Sequence, residues 1–280
     1  MSLISAAQLA EIIDNENLRI VDARFALTDA NSGFTAYTTA HIPGALYVNL
    51  NNDLSAEKTD ALFGRHPLPS AEQFSSVLSR LGITPQMHVV VYDQADAAMA
   101  ASRFWFLLRM AGHEHVSVLD GGMNAWLAAD YAVQNQEPQP IATHYPVHFQ
   151  ESMLVSTSEL KSLLANPAET VLLDARSAER FCGEVEPLDK KAGHIPGASN
   201  RPFSLNMIDG VFKSSEQLRT EFEPLIAGKT HILLSCGSGV TACHNALALS
   251  HAGIDNYRLF APSWSGWIAD DKNEVAVGEA

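Results

Sequence analysis

Basic side chains are scarce in this chain: 18 lysines and arginines face 32 acidic residues, leaving a formal charge of -14 at pH 7. A surface of that sign repels phosphate backbones, which excludes a general nucleic-acid binder. Cysteine is scarcer still. Cys182, Cys236 and Cys243 are too few and too unevenly spaced for a disulfide framework, and no Cys-x-x-Cys pair offers a zinc site, so no metal is expected. No hydrophobic run approaches the ~18 residues of a membrane span, so no membrane partner is expected either. Residues 1–14 lack a basic n-region and carry Glu11 and Asp14, so they read as an amphipathic helix rather than a signal peptide, and a cytoplasmic location follows as the default. What the chain does have is bulk: 280 residues, 46% of them hydrophobic, provide for about two domains with ordinary cores.

The chain is also written twice. Ile20-Val21-Asp22-Ala23-Arg24 matches Leu172-Leu173-Asp174-Ala175-Arg176, and His41-Ile42-Pro43-Gly44-Ala45 recurs as His194-Ile195-Pro196-Gly197-Ala198. Farther on, the apolar run 89–92 parallels 232–234, and Trp126 parallels Trp267. A repeat this long indicates duplicated domains rather than a solenoid. Each copy opens with an amphipathic helix, 6–14 or 157–164, followed by a β-rich run ending in Asp-Ala-Arg. The runs at 89–92 and 232–234 have few polar interruptions, as suits strands buried on both faces of a parallel sheet. Helices then follow over 97–110 and 240–251, stopping at Gly112 and Gly253. The alternation predicts an α/β fold, with two tandem domains that each hold a mostly parallel sheet flanked by helices.

The expected division is a first domain over 1–133, an extended linker over 134–150, a second domain over 151–272 and a tail over 273–280. The linker is polar and holds Pro138, Pro140 and Pro146. The tail is acidic and aperiodic, and is expected to be poorly ordered. Asp22 with Arg24 and Asp174 with Arg176 read as strand-end ion pairs, His194 as the residue that orients its turn, and the four tryptophans as core.

The copies diverge where the central strand ends. Asp93 in the first is replaced by Cys236 in the second, opening Cys236-Gly237-Ser238-Gly239-Val240-Thr241-Ala242. A thiol at a strand end, followed by two glycines and a helix, suits a tight loop whose backbone N–H groups point at the sulfur, and helix N-termini favour the thiolate. Such a loop makes a nucleophile, whereas the alternative is a buried, inert cysteine. Asp93 cannot do this chemistry, so the first copy is expected to be catalytically silent. Cys243 reads as core. Cys182, two residues beyond Arg180, is a candidate for a redox role near the pocket.

The paired His-Ile-Pro-Gly-Ala segments, the Asp-Ala-Arg strand ends and the Cys236 loop resemble the two-domain rhodanese family over nearly the whole chain. Within it, Cys-Gly-Ser-Gly-Val-Thr is similar to the loop of the 3-mercaptopyruvate sulfurtransferases, while thiosulfate enzymes typically carry basic residues there. The resemblance implies ping-pong transfer of a sulfane sulfur from a small anionic donor, through a Cys236 persulfide, to a thiol such as thioredoxin or to cyanide. It implies no cofactor. Loop residues Gly237, Gly239, Val240, Thr241 and Ala242 would hold the anion through their N–H groups. The resemblance further implies that Ser238 acts with a histidine and an acid of the first copy: His41 for the histidine, with Asp29 the candidate acid. Arg180 matches the arginine placed on a donor carboxylate, a task that suits a guanidinium.

Two departures stand out. A second arginine, present in many mercaptopyruvate enzymes, is replaced near Leu188, which leaves Lys190 or Lys191 as substitutes; and Ala261-Pro262-Ser263-Trp264-Ser265-Gly266-Trp267 differs from the family's usual Gly before Ser and Glu before Trp. Donor choice therefore stays open between 3-mercaptopyruvate, favoured here, and thiosulfate. A non-catalytic sulfur carrier or binding module is the remoter alternative. A cysteine phosphatase of related fold is disfavoured because Ala242 stands where Cys-x5-Arg requires arginine.

Overall fold

The computed structural model describes residues 2–279. It divides into two compact units: the first comprises Met1–Ala56, Leu68–Gln150 and Asp209–Phe212, the second Glu57–Pro67, Glu151–Ile208 and Lys213–Ala280. The two units thus trade short segments across the repeat boundary. Segment 57–67 of the first copy belongs with the second unit, and the 134–150 segment, expected as a linker, belongs with the first.

In the first unit the strands are β1 (Leu3–Ile4), β2 (Leu18–Asp22), β3 (Leu46–Tyr47), β4 (His88–Tyr92) and β5 (Val116–Leu119). They form one sheet in the order β1-β5-β4-β2-β3. Every pairing is parallel. Central β4 is Val-rich and its Val89 to Tyr92 are fully buried, as expected of a strand covered on both faces. The helices are α1 (Ala6–Ile12), α2 (Ser32–Thr39), α3 (Ala71–Arg80), α4 (Ala100–Met110) and α5 (Gly122–Ala128). Helix α1 starts at Ala6, where the periodic pattern begins, while Leu3 and Ile4 ahead of it pair with β5 and Ser5 closes a capping box with Gln8; the helix stops at Ile12, two residues short of the pattern. Met1 lies outside the described residues.

The second unit repeats the plan. Helices α6 (Thr157–Leu164), α7 (Ala178–Cys182), α8 (Ser215–Ile226), α9 (Ala242–His251) and α10 (Ser263–Trp267) accompany strands β6 (Thr170–Asp174), β7 (Ala198–Asn200), β8 (Met207–Ile208), β9 (Val211–Phe212), β10 (His231–Ser235) and β11 (Tyr257–Leu259); of these, β9 is clustered with the first unit. The main sheet runs β11-β10-β6-β7, again all parallel. Leu172, Phe181, Leu233, Phe260, Trp264 and Trp267 form its core.

The recurring strand-end pairs are present. Arg24 Nη2 lies 2.6 Å from Asp22 Oδ2, and Arg176 Nη2 lies 2.8 Å from Asp174 Oδ2. Each guanidinium also donates to a carbonyl, of Ala40 or Gly193, so both charges are buried with partners. The proline-rich 134–150 segment forms no helix or strand, yet it is docked: Thr143 N–H donates to the Ser79 carbonyl, and Tyr145 and Val147 are buried.

The tail is ordered against expectation. Ala276 exchanges two backbone hydrogen bonds with His194, Trp267 Nε1 donates to the Glu274 carbonyl and Asn273 is buried. Ala276 here does what Gln134 does in the first unit, where it exchanges two backbone bonds with His41. The tail's polarity does not reveal this, because a strand bridge uses backbone groups that composition does not register. Ala280 lies outside the described residues. Among the described residues no helix is long and apolar enough to cross a membrane.

Candidate active site

Strand β10 ends at Ser235, and the chain turns at once into the loop before α9. Cys236, only 1% exposed, heads that loop, and the Gly239 N–H donates to its Sγ at 3.1 Å. The turn demands Gly239: its φ is +75°, and a Cβ there would stand 2.3 Å from the Ala261 carbonyl oxygen. Among the described residues, the N–H groups of Gly237, Ser238, Val240 and Thr241 have no protein acceptor. Cys243 and His244 then bond back to Val240 and Thr241 as α9 begins. The loop is therefore a nest of backbone donors at a helix N-terminus, with a thiol inside it.

The divergent segment 261–267 forms the base of this loop. Ser263, at φ +52°, accepts the Cys236 N–H on its Oγ at 3.0 Å, and its hydroxyl donates to the Phe260 carbonyl at 2.9 Å. The N–H groups of Trp264 and Ser265 donate to the carbonyls of Cys236 and Gly237 at 3.0 and 2.9 Å.

Two guanidiniums flank Gly237. A Cβ built there would stand 3.0 Å from Arg65 Nη2, 3.4 Å from Arg180 Nη2 and 3.6 Å from Arg180 Nη1. Arg180, on α7, donates from Nη2 to both oxygens of Glu186, at 2.7 and 3.0 Å, and reaches Asp189 Oδ2 at 3.5 Å. Burial opposes ionisation of Glu186, but the Arg180 hydrogen bond and the Leu188 and Asp189 amides outweigh it and hold the carboxyl below its usual range. Asp189 Oδ1 in turn accepts from Arg65 Nη1. Lys191, expected as a substitute cation, is directed elsewhere, onto Asp271 at 2.7 Å.

Ser238 Oγ lies 2.9 Å from Nδ1 of His66, and both residues are buried. This corrects the expectation for His41. That imidazole is fully buried, stacks on Tyr37 with centroids 4.1 Å apart and uses Nδ1 on the Tyr37 carbonyl at 2.7 Å, while Nε2 faces Gln134. His194 holds the same pose in the repeat, on the Phe181 ring and carbonyl. Both histidines orient their His-Ile-Pro-Gly turns. Asp29 is likewise a turn former, accepting the Asn31 N–H on Oδ1 at 2.9 Å.

In the first unit Asp93 fills its own loop, accepting the N–H groups of Ala95 and Ala97 on Oδ1 at 3.2 and 3.0 Å. Cys243 is buried on α9 and its thiol donates to the Gly239 carbonyl at 3.3 Å. Cys182 is half-buried; desolvation and then Glu184 push its thiol up, away from easy thiolate formation.

Residues 5–129 and 156–270 each match the family described as rhodanese-like domain. The chain is 41% identical over 280 residues to a probable 3-mercaptopyruvate sulfurtransferase of Pseudomonas aeruginosa, covering 99% of this chain and 98% of that one. It is 38% identical over 283 residues to a putative thiosulfate sulfurtransferase of Mycobacterium tuberculosis, with the same two coverages. The crystal structure of SseA from Escherichia coli, a 3-mercaptopyruvate sulfotransferase of rhodanese fold, is similar with a TM-score of 0.83 at 30% identity, covering 94% of this chain and 99% of that one.

Proposed function

The chain belongs to the rhodanese family and is a sulfurtransferase, and on that premise we propose that it moves sulfur from 3-mercaptopyruvate to a thiol or cyanide acceptor through a persulfide on Cys236. One observation carries the reading: the Cys236 sulfur accepts a backbone N–H in a loop without a cation of its own, beside a glycine that Arg180 overhangs. The thiolate attacks the donor sulfur, the sulfur–sulfur bond forms as the donor carbon–sulfur bond breaks, and the electron pair leaves as the enolate of pyruvate, which takes a proton. An acceptor thiolate or cyanide then attacks the outer sulfur and returns Cys236 to thiolate.

The open amides of Gly237, Ser238, Val240 and Thr241 suit the negative charge of the persulfide and need no reorganisation to meet it. Arg180 would hold the donor carboxylate. The Ser238 hydroxyl, within hydrogen-bond reach of His66, would exchange a proton with the donor sulfhydryl or the departing enolate. The first unit plays no part in this chemistry, since Asp93 occupies its own loop with a carboxylate. A reducing cytoplasmic compartment fits the reading, because it keeps Cys236 as a thiol and supplies thiol acceptors.

Thiosulfate is the second reading, favoured by the name of the Mycobacterium tuberculosis relative. Steady-state transfer from each donor separately, with mass spectrometry of Cys236, decides between them. A higher kcat/KM for mercaptopyruvate and one added sulfur atom on Cys236, both abolished in Cys236→Ser, are expected. A higher kcat/KM for thiosulfate would replace the donor, and transfer by the serine variant would refute the mechanism. A single sulfur loaded without turnover would indicate a carrier.

A further inference from the structure

Segment 57–67 is built to deliver one side chain. Asp60 caps a short 3-10 turn over Ala61–Phe63, and Gly64 follows at φ +84°, where a Cβ would stand 2.5 Å from the Pro262 carbonyl oxygen. Only glycine brings the backbone that close to α10. Arg65 comes next, and its N–H donates to Ser265 Oγ at 3.0 Å, on the same short helix whose N–H groups hold Cys236 and Gly237. The guanidinium is fixed at its far end by Asp189 through Nη1. Anchored at both ends, the side chain lies beside Gly237, as Arg180 does.

We propose that Arg65 is a donor-binding residue: with Arg180 it grips the carboxylate end of the sulfur donor over Gly237 and so aims the donor sulfur at Cys236. The inference rests on the reading of Cys236 as nucleophile and Arg180 as a donor contact. Three observations carry it. Both guanidiniums converge on one glycine, the residue next to the nucleophile. Among the described residues the Arg65 side chain makes a single bond, from Nη1 to Asp189, so its Nε and Nη2 donors carry no protein acceptor. Its side chain is 24% exposed, and Arg180 likewise has a buried Nε without an acceptor. Arg24 and Arg176, by contrast, place both their Nε and their Nη2 donors on protein acceptors.

The same geometry accounts for Leu188. It stands between Glu186 and Asp189 and contributes only its N–H, to Glu186 Oε1 at 3.0 Å, so the 184–189 turn brings carboxylates rather than a cation. Those carboxylates position the two arginines: Asp189 meets Arg65 with one oxygen and Arg180 with the other. The second cation arrives from a different part of the chain. Two guanidiniums presented from different parts of the chain fix both the place and the orientation of a planar carboxylate, which a single arginine does not.

The test is steady-state kinetics with mercaptopyruvate on the full chain and on Arg65→Met and Arg65→Lys. Arg65→Met is expected to raise KM about 10- to 50-fold while kcat changes less than about threefold, as for a lost charge-assisted contact to substrate. Arg65→Lys is expected to recover part of the loss, since the charge returns without the fork. An unchanged KM in Arg65→Met would overturn the inference. So would a fall in kcat and in thermal stability together at constant KM, which is the mark of a structural ion pair. If mercaptopyruvate leaves no added sulfur on Cys236 of the unmodified chain, the functional reading itself fails, and the inference with it.

Discussion

Ser238 shows how a residue's neighbours, rather than its motif, assign its role. The hydroxyl pairs with His66, while His41 spends its ring on Tyr37 and Gln134. His66→Gln is therefore expected to lower kcat about 100-fold with little change in melting temperature, the lower end of what a positioned acid–base group contributes. His41→Gln is expected to cost about 1 kcal/mol of stability, through the lost carbonyl bond and ring stacking. Kinetics and thermal melts on the two variants check this. A folded His41 variant without turnover, beside a fully active His66 variant, would reverse the assignment. The family resemblance pointed to His41, but its His-Ile-Pro-Gly motif is shared by both copies, as by His194, and describes the fold and not the chemistry.

At the scale of elements, the active loop depends on the close approach of two turns. Gly239 passes within van der Waals distance of the Ala261 carbonyl, and α10 then returns bonds to Cys236 and Gly237. In Gly239→Ala the added methyl meets backbone that cannot yield, and a positive φ is imposed on an alanine. Expected are a stability loss of about 2 kcal/mol and a fall in kcat/KM of roughly 100-fold as the N–H leaves the sulfur. Denaturant melts and kinetics measure the two effects, and wild-type turnover in this variant would show that the loop amides do not matter. The altered 261–267 segment reads from sequence as a local loop change. The structure gives it a function in the fold, with Ser263 satisfying the Cys236 N–H and Ser265 that of Arg65.

Across the whole molecule, the two copies solve the same strand-end problem in opposite ways. Cys236 leaves its loop amides open, whereas Asp93 fills the corresponding loop with its own carboxylate. Burial, then Asp96, pushes the Asp93 carboxyl up to about 7, against the pull of the Ala97 and Ala95 amides. A carboxyl held above its ordinary value favours the folded state when protonated, so this contribution is complete below the ordinary value of 3.8 and is lost as pH rises through 7. Asp93→Asn does not titrate. Between pH 5 and pH 8 the unmodified chain is expected to lose up to about 3 kcal/mol relative to that variant. Melting curves of both proteins across that range measure the difference, and parallel pH profiles would contradict it.

The sequence by itself determined the duplicated α/β architecture, the buried Val- and Leu-rich strands, the strand-end ion pairs and the glycine-rich Cys236 loop, because each is written in contiguous residues whose periodicity or turn chemistry acts locally. Arg180 was legible through resemblance. Arg65 and His66 were not, although a signal existed: 44 positions separate Ala45 from Val89 and only 34 separate Ala198 from Ile232, so the first copy carries extra chain around Gly64-Arg65-His66-Pro67. The order of the tail is not legible for a related reason, since its bonds to His194 are made by backbone groups that no composition reveals. Tertiary structure decided which unit segment 57–67 joins, and with that which histidine meets Ser238 and which cation meets Arg180. Contacts between residues 172 positions apart depend on how the chain closes its loops, and local sequence does not encode that choice.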